Sequence, residues 1–220
     1  MSEFMGKNGF IWFVGVVENR QDPKHLGRLR VRCLGYHTEN LDKLPTKDLP
    51  WAHVMNPITS ATVSGVGQSP LGAVEGSWVV GFFQDGADAQ MPVIIGTLPG
   101  IPDSLPDSLS KKGFQDSVNA NYPKYKDETD VNRLSVGDEN NPHSSLTIRK
   151  ADRTTDMGRA DFNSVDIRRA NLTPSTLPGD DGTAFNEPTI PYDATYPYNH
   201  VYESEGGHIR EMDDTPTKER

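Results

Sequence analysis

Cysteine is almost missing from this chain. Its 220 residues include one, Cys33, which excludes an internal disulfide framework and a multi-cysteine metal site. Set in an apolar strand pattern, that thiol reads as buried and inert. Long apolar runs are missing too. No stretch of about 18 apolar residues is present to cross a bilayer as a helix, and the opening residues show no signal-peptide pattern. There is no Gly-Lys-Ser/Thr phosphate loop and no exact internal repeat. Positive charge is scarce in the second half: residues 101–220 hold 14 Lys+Arg against 22 Asp+Glu, whereas residues 1–100 hold 8 against 9. Such a tail repels a polyanion, so a general nucleic-acid partner is disfavoured.

The apolar residues are concentrated at the front. Residues 1–100 contain 42 of the Ala, Val, Ile, Leu, Met, Phe, Trp, Tyr and Cys residues and all three tryptophans, Trp12, Trp51 and Trp78; residues 101–190 contain only 25. Burial contributes roughly 25 cal/mol per Å² and must offset about 1–2 kcal/mol per residue of backbone ordering. The first hundred residues can meet that cost alone. The next ninety need a partner surface or remain extended.

Five strand patterns fill the first part. Ile11–Val17 is a dense β-branched and aromatic run, and the turn chemistry of "NRQDPKHLG" follows it. From Arg28 the chain alternates, with Leu29, Val31 and Cys33 on one face and Arg28, Arg30 and Arg32 on the other. A polar connection over 38–50 allows a short helix around Thr46–Leu49, and "WAHVM" makes a third strand. "WVVGFFQDG" and "MPVIIGTLPG" supply two more, joined by a polar turn at Asp85–Ala89. Between the third and fourth lies "PITSATVSGVGQSPLGAVEGS", mostly small residues, a composition suited to close packing on another backbone or to flexibility. Five short strands suit a small Greek-key barrel of the OB type, with Gly81 and Gly96 at corners or bulges.

After Gly100 the texture is Asp, Asn, Ser, Thr and Pro. Proline at 102, 106, 123, 142, 174, 178, 188 and 191 blocks long helices and central strands. "SSLTIRKADR" allows one strand, and "ADFNSVDIRRANL" one short helix or strand. The expected organisation is a flexible N-terminus (1–9), an OB barrel (10–100), an extended acidic linker (101–184) and a distinct end (185–220).

The residues also resemble a known family. "WFVGVVENRQDPKHLGRLRVRCLGYH", "PTKDLPWAHVMNPITSA" and "VEGSWVVGFFQDG…PVIIGTLPG" are similar to the N-terminal OB domain of the central spike proteins of contractile-tail phages. In the T-even type that protein is the baseplate hub and tail lysozyme. "YPKYKDETDVN" resembles the segment after that barrel, and "FNEPTIPYDATYPYNHVYESEGGHIREMDDTPTKER" the lead-in to the family's C-terminal spike. The resemblance implies a mainly β chain: an OB barrel, an irregular linker and the stub of a trimeric intertwined β-prism entered through Asp213–Arg220. Either the chain is cut there or another polypeptide continues the needle. The lysozyme activity is not implied. Residues 133–184 are too few for that domain, and its "TIGIGH"-like segment is absent. Glycan hydrolysis needs two carboxylates held about 5–9.5 Å apart, whereas Asp152, Asp156, Asp161 and Asp166 read as solvated linker charges.

The remaining candidates are interface residues. Arg28, Arg30 and Arg32 have the chemistry to grip single strands, as OB barrels often do; in an acidic chain a solvated or interface-facing strand side, met by acids of a neighbouring subunit, is the better reading. Pro57, Ser64, Gly65 and Gly67 suit a close-packed protein contact, and Trp12, Phe13, Phe82 and Phe83 suit core or subunit packing. Tyr196, Tyr198, Tyr202, Ile209 and Met212 are expected to bury together between chains, their segment having nothing in its own chain to pair with. His200 and His208 are weak metal candidates on a threefold axis, and no metal, cofactor or catalytic residue is assigned. The implied partners are two further copies, a hub-ring protein of the baseplate, a separate spike-tip or needle-continuation protein and, transiently, the host envelope. The expected location is the virion tail baseplate after assembly in the host cytoplasm. A spike of a bacterial contractile injection system and a baseplate-associated cell-wall hydrolase remain the alternatives.

Overall fold

The computed structural model describes residues 10–132 and 135, the backbone alone at 176–178, 184–186 and 209, and residues 195–206, 208 and 210–217. Period-two alternation carries the first part into five strands: β1 Trp12–Asn19, β2 Leu29–Cys33, β3 Trp51–Val54, β4 Trp78–Phe83 and β5 Pro92–Thr97. They close into a barrel in the order β1-β2-β3-β5-β4, with only β3 and β5 parallel. This is the five-stranded Greek-key barrel expected of an OB fold. The short helix expected near Thr46 is a 3₁₀ turn, Thr46–Asp48.

Inward positions of all five strands build one core, including Phe13, Val17, Val31, Cys33, Val79 and Phe83. Burial pushes the Cys33 thiol up to about 12, so it stays protonated and inert. The rings of Phe13 and Phe83 lie 4.8 Å apart, and Tyr36 meets Phe83 edge-on at 4.9 Å. Phe82 faces outward by strand parity and is buried because Phe10 covers it at 5.5 Å. Gly81 is the tightest point of the wall, since a Cβ there would lie against the Val93 carbonyl oxygen and the Phe13 ring. The β4–β5 register slips between Val80 and Gly81: Val80 opposes Gly96, Gly81 opposes Ile94, and Ile95 is the extra residue of a bulge.

A buried ion pair holds the chain that follows the barrel. Arg32 donates from Nε to Glu18 Oε1 (2.5 Å) and from Nη2 to Glu18 Oε2 (3.0 Å), both side chains being fully buried. Nη1 and Nη2 also donate to the carbonyls of Thr38 (2.5 Å) and Leu44 (2.8 Å) respectively. Glu18 also accepts from the Thr46 hydroxyl (2.7 Å) and the Phe114 N–H (3.3 Å). Gly113 passes directly over the pair, where a Cβ would collide with Arg32 and Glu18. Further on, the buried carboxylate of Asp116 accepts backbone N–H groups of Asn119, Asn121 and Tyr122 at 2.9, 2.7 and 3.3 Å. Gly100 N–H meets Asp130 at 2.8 Å.

The first of two compact units therefore ends at Asp130, not near residue 100. Residues 101–130, expected in the linker, have neither helix nor strand but are organised by carboxylates satisfying backbone donors. Composition does not reveal this, because Asp and Asn that order a loop look the same in sequence as those that solvate one.

The second unit begins at Val131. It contains two two-stranded antiparallel sheets: β6 Thr176–Pro178 with β7 Ala184–Asn186, and β8 Asn199–Glu203 with β9 Ile209–Asp213. The last pair corrects an expectation, since the C-terminal segment does find a partner in its own chain. Strands β8 and β9 pair in register from Asn199↔Asp213 to Glu203↔Ile209. The elements expected in "SSLTIRKADR" and "ADFNSVDIRRANL", and the acids Asp152, Asp156, Asp161 and Asp166, lie outside the described residues.

Candidate interaction surfaces

The arginine face is not available to a partner in the way the alternation suggests. Arg32 is wholly inside, paired to Glu18. Arg28 is bidentate to Asp22 of its own turn, with Nη2–Oδ1 2.7 Å and Nε–Oδ2 3.0 Å. Arg30 donates to the Thr46 carbonyl at 2.9 Å and lies 4.6 Å from the centre of the Trp51 ring. For Arg32 and Arg28 the acids expected from a neighbouring subunit are supplied within the chain, from β1 and the β1–β2 turn. Strand parity fixed the side on which the arginines stand; the connections folding over that side decided what they meet.

Asp22 organises the turn in a way that is sensitive to pH. Besides Arg28, it accepts the N–H groups of Lys24 (3.0 Å), Leu26 (3.0 Å) and Arg28 (3.3 Å). The Arg28 guanidinium, aided by these donors and opposed by burial, holds its carboxyl well below the ordinary 3.8. A depressed folded-state value adds stability that is fully present above the unfolded value and is lost as pH falls below about 4. The Asp22→Asn variant is expected to be less stable at pH 7 and to lose less stability than the parent between pH 5 and 2. Urea titrations across that range give the comparison, and parallel curves would remove Asp22 from the acid response.

Two parts of the barrel unit present apolar side chains to solvent. The first is the β3–β4 connection. From Leu49 to Val74 the chain has no Asp, Glu, Lys or Arg. Its tip is a two-residue hairpin: Ser64 and Gly65 take φ of 53° and 76°, the positive values a type I′ turn requires. Val66 N–H donates to the Val63 carbonyl at 2.9 Å and Val63 N–H returns a bond at 3.4 Å. Below it Ser60 Oγ accepts the Gln68 N–H at 2.6 Å, and Asn56 donates to Thr62 Oγ1 at 3.1 Å. Gly67, at φ 123°, sits where a Cβ would press on Ser60 and Thr62. The loop is thus a preformed finger, and it carries Ile58 (102% exposed), Val63, Val66 and Leu71 into solvent. Pro57, Ser64 and Gly65 are exposed as well. The small residues shape the finger, while the aliphatics between them, which composition hid, supply its surface.

The second surface is the outer side of β1, β4 and β5. Strands β4 and β5 contain no charged residue, and β1 contains only the buried Glu18. Trp12 (59%), Trp78 (41%), Ile95 (50%) and Leu98 (42%) are exposed there. Of the four aromatics expected to pack, Phe13, Phe82 and Phe83 are in the core or beneath Phe10, and Trp12 alone faces out. At Gly96, opposite Val80, a Cβ would meet nothing within 4 Å.

In the second unit Tyr202 opposes Arg210 and His200 opposes Met212, and all four side chains are exposed. Tyr196 and Tyr198 are exposed too; of Ile209 only the backbone is described. His200 Nε2 lies 3.5 Å from Asp214 Oδ2. Among the described residues no group of three His, Cys, Asp or Glu side chains is placed to hold a metal ion.

The family described as the Gp5 N-terminal OB domain matches residues 36–174, a span that opens after β2 and does not coincide with the barrel's limits. Over 245 aligned positions the chain is 37% identical to Protein Gp5 of Vibrio phage KVP40, covering 99% of this chain and 53% of that protein. Over 149 positions it is 41% identical to the pre-baseplate central spike protein Gp5 of Enterobacteria phage T4, covering 66% of this chain and 25% of that protein. The chain thus spans about half the length of the first relative, and the second match takes in about a quarter of its own.

Proposed function

The chain belongs to the family of the Gp5 N-terminal OB domain, and from that membership we propose that it is a structural part of the central spike of a contractile phage tail. The observation that carries the reading is 37% identity extending over 99% of the chain, joined to a closed five-stranded barrel. The spike works mechanically. Three copies form a shear-resistant plug at the tube's end, a hub-ring protein sits above the barrels, and a β-needle below transmits contraction force to the host envelope. A separate tip or continuation protein completes the needle. The site of action is the tail baseplate, reached after assembly in the host cytoplasm.

Two features of the chain suit this role. The buried Arg32–Glu18 pair ties β1 and β2 to the Thr38–Thr46 connection and to the segment at Gly113–Phe114. Load arriving from the C-terminal side then enters the barrel wall and not only the end of β5. Among the described residues β8 and β9 form a sheet of two strands, which is marginal alone, so further strands from other copies would stabilise it. No reaction is part of the proposal, and the acids between residues 133 and 184 are given no catalytic role.

Purified tails provide the test. Gold-labelled antibody against the chain is expected at the centre of the baseplate, quantitative mass spectrometry is expected to count three copies per tail, and the purified chain is expected not to clear peptidoglycan. Label along the sheath, or a count that is not three, would overturn the structural reading. Clearing abolished by changing one acid of residues 133–184 to alanine would restore the hydrolase.

A further inference from the structure

We propose that His37 is an acid-sensitive fastener: on taking up a proton its ring releases the end of β2 and loosens the barrel's grip on the strap at Gly113–Phe114. The device lies within the first unit and is independent of the spike reading.

The geometry requires one protonation state. Cys33, the last residue of β2, donates its N–H to His37 Nδ1 at 2.9 Å. A ring nitrogen accepts only while it carries no proton, so the folded barrel holds His37 neutral with its proton on Nε2. The surroundings impose the same preference. Burial and the Arg32 guanidinium on β2 oppose a positive charge on this half-buried ring, and they outweigh the Val31 backbone and Glu18 on β1, which favour one. His37 therefore protonates below the ordinary 6.5. Neither neighbour on β2 can relieve the conflict, because a guanidinium keeps its charge and the Cys33 thiol is held protonated.

A proton on Nδ1 would set N–H against N–H at the Cys33 contact and add a cation beside a buried one. The turn has room to answer by moving outward, since Leu34, Gly35 and Tyr36 are exposed. It is closed by the N–H groups of Tyr36 and His37 on the Cys33 carbonyl, at 3.2 and 2.9 Å. The next residue, Thr38, gives its carbonyl to Arg32 Nη1. Arg32 in turn holds Glu18, and Glu18 accepts the Phe114 N–H. A turn that swings out withdraws the Thr38 acceptor, and the strap's anchor weakens with it. The sign follows from the lowered value: the closed turn binds fewer protons than the open one, so closure is complete above about pH 6.5 and weakens as pH falls below it. This window lies above that of Asp22, whose contribution is lost below about pH 4.

Two measurements on the full chain test the device. Histidine nitrogen NMR on the parent is expected to show His37 as the Nε2–H tautomer with a midpoint below 6.5. The Nδ1–H tautomer, or a midpoint at or above 6.5, would overturn the proposal. Hydrogen exchange of residues 110–118 is then compared between the parent and His37→Asn at the same pH. The asparagine carbonyl can accept from Cys33 as Nδ1 does, but it does not titrate. Opening linked to one proton grows by at most about tenfold per pH unit, so the parent-to-variant ratio of exchange rates is expected to rise from about one at pH 7.5 to several-fold at pH 5. A ratio unchanged between the two would break the link from His37 to the strap. If His37→Asn does not fold, the Phe114 amide signal of the parent supplies the same reading. It is expected to shift with the His37 midpoint, and a signal that stays fixed until below pH 4 would sink the proposal.

Discussion

Replacing Glu18 with alanine is expected to lower the free energy of unfolding by about 3–5 kcal/mol, the usual cost of stranding one member of a buried ion pair. The change leaves the Arg32 guanidinium fully buried with only the carbonyls of Thr38 and Leu44. It also takes the acceptor from the Thr46 hydroxyl and from the Phe114 N–H. Two consequences should appear together. Urea unfolding followed by tryptophan fluorescence should shift to lower denaturant. Trypsin should cut sooner at Lys111 or Lys112, because the strap across the pair has lost its anchor. The Glu18→Gln variant keeps an acceptor but no charge and should fall between the two. A loss below about 1 kcal/mol would be the cost of an ordinary hydrogen bond and would mean that Arg32 reaches water.

The second large effect concerns one methyl group. Gly81→Ala is expected to cost about 3 kcal/mol or more, at the upper end for overpacking, and to lower Tm by about 10 °C or more. The added Cβ would press on the Val93 carbonyl oxygen, which is backbone of the paired strand, and on the ring of Phe13. A carbonyl within a ladder cannot step aside without opening β4 from β5, so the barrel would have to part at its bulge. Gly96→Ala makes the same chemical change two strand positions beyond Ile94, where a Cβ meets nothing within 4 Å. It should stay within about 0.5 kcal/mol of the parent, as a surface substitution does. Thermal scans of both variants decide the matter. Equal losses would show that glycine is needed at these sites for backbone freedom rather than for room.

Much of the barrel is legible in the amino-acid sequence. Period-two alternation over Leu29–Cys33 puts Val31 and Cys33 inside, the Asp22-Pro23 turn places the β1–β2 reversal, and glycine at 81 and 96 marks the bulge. These are local facts, carried by neighbours in the chain and by the side-chain period of a strand. The role of the arginine face is not legible, because parity says which side of a strand a residue occupies and nothing of what folds over that side. Glu18 reaches Arg32 across fourteen positions and Phe114 across ninety-six, and no pattern in a single sequence links such distances. The finger is ambiguous for a related reason: small residues signal either a contact or a turn, and only the closed hairpin at Val63–Val66 shows that they make turns and leave the aliphatics outside. Composition and period therefore determined the class of fold and where its core lies. Which polar groups are buried, where the first unit ends and which apolar residues remain for a partner were decided by tertiary structure, since each depends on long-range closure that satisfies or exposes a group whose own type is unchanged.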